Sequence, residues 1–149
     1  MKPFTFRLSR ILALRTRSER ERARDLGLAL GAEEVRREEL RDAVARLRRF
    51  GEQAAGAVGG VTTAGALRTV GLSVRAVAEE LESAAESHRV AEATLANEAE
   101  RFGEARRERR VVERLRDRRE AAWNQDASRH EQTEIDRLAR RRPGMEDAR

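Results

Sequence analysis

The 149-residue chain has no cysteine and no tyrosine, only two prolines, a single lysine (Lys2), and as aromatics just four phenylalanines and one tryptophan. Without cysteine there is no disulfide framework, thiol nucleophile or thiolate metal site, and a reducing compartment is compatible with the chain. No long apolar run is present either. The longest uncharged stretch, Gln53 to Leu67, spans 15 residues and carries four glycines, too short and too broken for a membrane-spanning helix. The apolar part of the basic N-terminus, Ile11 to Leu14, is too short for a secretion signal. We expect a cytoplasmic protein that does not insert in a membrane.

What is there is charge: 40% of residues are charged and 39% apolar, a balance that cannot fill a globular core. Such a composition fits long helices or coiled coil, where the core is a narrow seam, or else disorder, so periodicity decides. A seven-residue ladder runs Leu12, Glu19, Leu26, Glu33, Leu40, Leu47, Ala54, beside a companion row Ala23, Leu30, Arg37, Val44, Val58. The stretch 51–71 then concentrates six of the ten glycines with Thr62 and Thr63, either of which can cap a following helix. Beyond it the ladder resumes as Leu67, Val74, Leu81, His88, Leu95, Phe102, beside Val70, Val77, Ala84 and Ala91. After Phe102 the pattern thins, with Arg109 and Arg116 on the ladder and Val112, Leu115, Trp123, Ile135 and Leu138 as a sparser stripe.

Two ladders joined by one short glycine-rich reversal predict an all-α fold, two long helices in an antiparallel coiled-coil hairpin. The expected organisation is a single coiled-coil domain over 1–149: helix one at about 5–56, turn at about 57–62, helix two at about 63–141 stopped by Pro143-Gly144, and a tail at 142–149. At about 1.5 Å per residue the arms measure about 75 and 120 Å. If facing residue numbers sum to about 120, Leu8 faces Val112 and helix two overhangs beyond about residue 116.

A two-helix hairpin encloses no water-excluding pocket, so the expectation is a protein-binding chain that is not an enzyme and needs no cofactor or metal. His88 and His130 lie 42 residues apart on one helix and cannot share an ion. His88 stands on the ladder where Leu would pack better, which fits either tolerated exposure or a contact surface. The pairs Gly27/Gly31 and Gly56/Gly60 are read as close packing and turn, because the membrane-dimer reading of that spacing requires an apolar 20-mer. Segment 101–119 holds nine arginines, but Glu104, Glu108, Glu113 and Asp117 interleave with them, giving a solvated helix face rather than a specific nucleic-acid stripe. Trp123, near where Phe4 and Phe6 arrive, is either an aromatic clasp or an anchor for a partner.

Three blocks carry a resemblance to a known family. They are Phe4-x-Phe6-Arg7-Leu8-x-x-Ile11-Leu12-x-Leu14-Arg15 with Ala23-Arg-Asp-Leu26-Gly27; Val77, Leu81, Ala84 and His88 followed by Arg89; and Val112-Glu113-x-Leu115-x-x-Arg118 with Glu134-x-Asp136-x-x-Ala139-x-x-Arg142. In this order and at this length the chain resembles the FliJ family, coiled-coil components of the bacterial flagellar type III export apparatus. The resemblance implies a stalk inserted in the hexameric flagellar export ATPase, promotion of ring assembly, contact with the cytoplasmic linker of the export gate membrane protein, and exchange of flagellar export chaperones. It also implies residence at the flagellar base, peripheral to the inner membrane, and a part in motility. By position, the gate-contact face is Phe50, Val77, Leu81, Ala84 and His88. The ATPase-facing tip is Arg7, Arg10, Ile11, Leu14 and Arg15 beside Leu115, Arg118 and Arg119. Val77 and Arg46 depart from positions that are often aromatic in relatives.

Overall fold

A computed structural model describes residues 3–58 and 63–140. Among these there are two helices and no strand: α1, Ser9–Val58, and α2, Ala64–Arg140. No proline falls inside either helix, and Ala, Leu, Arg and Glu dominate both, so intrinsic propensity favours helix throughout. Ion pairs three or four residues apart line the outer surface, among them Arg36–Glu39, Arg48–Glu52, Arg75–Glu79 and Arg89–Glu86. Each contributes only about 0.2–0.5 kcal/mol. In the last of these, the hydrogen bond from Arg89 holds the Glu86 carboxyl below its ordinary pKa.

Thr63 is the cap of α2. Its hydroxyl accepts from the Ala66 N–H at 3.3 Å and its carbonyl from the Leu67 N–H at 3.1 Å. α1 begins later than the expected residue 5. Thr5 does not cap a helix, because its hydroxyl donates to the Pro3 carbonyl, and a turn closed by Ser9 N–H on the Phe6 carbonyl precedes the first helical bond, Leu12 N–H to Leu8 C=O. α1 also continues through the expected start of the turn, to Val58. The rest of the reversal, the Pro143-Gly144 stop and the tail lie outside the described residues.

Contacts divide the chain into two units, Arg20–Glu104 on one hand and the described parts of Met1–Glu19 and Ala105–Arg149 on the other. Inside each, a stretch of α1 lies antiparallel to a stretch of α2. In the first unit Glu33 meets His88 and Arg46 meets Glu80; in the second Arg15 meets Glu108 and Phe4 meets Trp123. The fold is thus the all-α antiparallel hairpin with the longer second helix.

The seam is built from alanine more than from leucine. The buried apolar residues are Phe6, Ala29, Ala43 and Ala105, and Ala43 retains only 1% of its accessible surface. This corrects the companion row: Leu30 and Val44 are exposed, and the residues one position earlier take their place. Positions three and four after a ladder residue both lie near the seam, and the methyl side chain admits the closer approach of the facing backbone. On α2 the ladder holds from Leu81 to Phe102, with Val70, Val77, Ala84 and Ala91 half-buried beside it, while Leu67 and Val74 near the reversal are exposed. Gly27 and Gly31 are not close-packed either, because a Cβ added at either would meet nothing within 4 Å.

Candidate functional site

Each charged interruption of the α1 ladder has a cationic or ring-nitrogen counterpart on α2. Glu33 is the one buried polar residue among those described, 3% exposed, and its Oε1 lies 3.0 Å from His88 Nε2. Arg37, one turn on, grips the same carboxylate with Nε at 3.0 Å from Oε1 and Nη2 at 2.8 and 2.7 Å from the two oxygens. Burial alone would raise the Glu33 pKa, but the hydrogen bonds from Arg37 and His88 together outweigh it and hold the carboxyl below the ordinary value. In the other unit Glu19 pairs with Arg109, which also donates to Glu113 at 2.8 Å. Polar layers of this kind restrict which registers a coiled coil can adopt, since a slip would set a carboxylate against Leu.

The other ring nitrogen of His88 faces Glu92 at 3.8 Å, so Glu33, His88 and Glu92 bring three ligand-type atoms within 4.8 Å of one another. The donors are already engaged. Arg37 occupies both Glu33 oxygens, and the two imidazole nitrogens point to different carboxylates, whereas a metal ion would take one of them and repel the guanidinium. The cluster is a hydrogen-bonded polar layer across the seam. The sequence set Glu33 and Arg37 among the charged interruptions of the first helix and His88 on the second ladder and the expected gate-contact face, without joining them, and gave Glu92 no role; the available signal was a pair of opposite interruptions whose numbers sum to 121.

The structure places the expected gate-contact residues on both helices of one unit, with Phe50 nearer the reversal than the Glu33–His88 layer. Phe50 on α1 and Val77, Leu81, Ala84 and His88 on α2 are all half-buried within one unit, lining the seam edge rather than standing clear of it. The tip residues share the other unit. Arg7, Arg10, Ile11, Leu14, Arg15, Arg118 and Arg119 are exposed, Leu14 at 66%, and Leu115 is half-buried. Arg15 reaches across to Glu108 at 2.5 Å.

Phe4 and Trp123 form a tilted ring pair, centroids 6.2 Å apart at 50°. The chain therefore accompanies α2 well past residue 116, because residues 3–6 are not helical and an extended segment advances about twice as far per residue as a helix. Trp123 has the clasp contact and an open flank. It closes the pair with Phe4, and it lines an open groove of about 830 Å³ that continues along Ala127, His130, Ile135 and Leu138. A double-mutant cycle with Phe4→Ala and Trp123→Ala should give a coupling of about 0.5–1.5 kcal/mol in thermal or urea unfolding; additive losses would mean that the rings do not stabilise one another.

None of the described helices is long and apolar enough to cross a membrane. A family model described as Flagellar FliJ protein matches residues 4–146. No curated protein and no solved structure matches the chain. Since the match spans the N-terminal block, both helices and the C-terminal blocks, this chain belongs to the FliJ family of flagellar export coiled-coil proteins.

Proposed function

We propose that this chain acts without enzymatic activity as the central stalk and adaptor of the hexameric flagellar export ATPase, promoting ring assembly and linking the ring to the export gate and to export chaperones. The observation that carries the reading is the family match along both helices. The arginine-rich paired ends support it further. A stalk inside a ring should present charge that slides along loops without locking into one deep socket, and exposed charge pairs contribute only about 0–1 kcal/mol each.

The cognate ATPase, assayed with and without this protein, should hydrolyse ATP faster and shift toward hexamer. Unchanged hydrolysis and unchanged assembly would reject the stalk role. Binding at the tip should weaken as salt rises, through screening of Arg7, Arg10, Arg15, Arg118 and Arg119. On the gate side, Phe50, Val77, Leu81, Ala84 and His88 would meet the linker along the edge of the seam, where each keeps part of its surface accessible. Leu81→Arg with His88→Asp should reduce gate binding more than ATPase binding; equal loss of both, with lowered helicity, would mean only that the seam had broken.

A further inference from the structure

α1 carries a second stripe on the side turned away from α2. Residues Arg24, Leu28, Gly31, Val35, Glu38 and Asp42 follow one another at spacings of four, three, four, three and four, the repeat that keeps side chains on one helix face. Leu28 is 75% and Val35 55% exposed. Between them, a Cβ on Gly31 would meet nothing within 4 Å, and the same holds for Gly27. No packing among the described residues therefore requires glycine at either position, although glycine weakens an exposed helix.

The stripe has a two-fold character. Positive charge lies on its N-terminal side, at Arg20 and Arg24, and negative charge on its C-terminal side, at Glu38 and Asp42. Arg20, Arg24 and Asp42 make no ion pair among the described residues, and Glu38 is held only by Arg41 at 3.4 Å, with both side chains more than two-thirds exposed. We propose that this face binds the same face of a second copy of the chain, antiparallel, with the two-fold axis at Gly31. Arg24 then meets Glu38 of the other copy, Arg20 meets Asp42, and Leu28 packs against Val35, while the glycine backbones approach closely at the centre. A parallel arrangement would set like charge on like, and a foreign helix would have to carry the same pattern inverted. All of these residues lie in one unit. A contact of six helical turns falls below the area of permanent dimers, so the association is weak and reversible.

Sedimentation velocity of the full chain at low salt should show a monomer–dimer equilibrium with a dissociation constant in the micromolar range. Arg24→Glu and Glu38→Arg should each weaken it about fivefold or more, since each change creates two like-charge contacts per dimer. The double variant Arg24→Glu/Glu38→Arg should restore it. In this cysteine-free chain, Gly31→Cys placed at the axis should form a disulfide-linked dimer under mild oxidation, whereas Val90→Cys, exposed on α2, should not. A chain that stays monomeric at every concentration, a double variant no better than the singles, or equal cross-linking at both positions would overturn the proposal. Circular dichroism of each variant separates loss of association from loss of helix.

Discussion

Ala43→Phe is expected to destabilise the hairpin by about 2 kcal/mol, lowering the thermal midpoint by roughly 5 °C, whereas Val44→Phe one position away should stay within about 0.5 kcal/mol of wild type. Ala43 has 1% of its surface accessible, and in a two-helix fold only the facing helix can cover it so fully. A phenyl ring there has no cavity to enter. It must push the helices apart and strip contact from neighbouring layers, or take an unfavourable rotamer. Val44 points to solvent, so enlarging it costs only a little propensity. Thermal unfolding followed by circular dichroism distinguishes the two. Equal losses, or a larger loss at Val44, would return the seam to the row with the larger apolar residues.

Loss of Glu33 should change how the protein responds to acid. Its carboxyl ionises below the ordinary value of 4.5 in the folded state, as the bonds from Arg37 and His88 overcome the cost of burial. As pH falls from neutrality, the unfolded chain takes up this proton first, so over that window the folded state binds fewer protons and stability rises with pH. The contribution is complete above about pH 4.5 and is lost as pH drops through the depressed folded value. Glu33→Gln should accordingly flatten the decline of the unfolding midpoint below pH 4.5; an unchanged acid limb would show that the carboxylate gains nothing from its partners. At neutral pH, His88→Leu should destabilise clearly, because it leaves a buried carboxylate one donor short. The double variant Glu33→Leu/His88→Leu should recover that loss and match or exceed wild type, since an apolar layer carries no desolvation cost. Such a variant would also test specificity. With the polar layer gone, the hairpin should tolerate alternative registers more readily.

Much of this was legible in the sequence because a coiled coil writes its main constraint locally. The repeat of seven through Leu26, Leu40 and Leu47, and again through Leu81, Leu95 and Phe102, is enough to specify two helices, whereas glycine alone does not mark their ends, since Gly51 and Gly56 lie within α1 and Gly65 and Gly71 within α2. The companion row was harder. Leu30 and Val44 looked like the better core residues by hydrophobicity, but the interhelical distance decides whether a large or a small side chain fits, and distance is not a property of one helix. The aromatic end shows the same limit. Phe4 and Phe6 were expected near Trp123, but that Phe4 is the ring that pairs with it follows from a short non-helical segment whose course the helical repeat does not give. The Glu33–His88 layer was half legible, both members standing out as irregular within their own ladders and meaning something only as a pair.

By itself the sequence determined the fold class, the two helices and the family, because helical propensity and seven-residue periodicity act over one or two turns of a single chain. The tertiary structure decided which of two adjacent rows closes the seam, which polar groups meet across it, how far the N-terminal segment accompanies the second helix, and which face of the first helix is left uncovered. Those depend on the distance and register between helices, quantities that come into existence only when the two are packed.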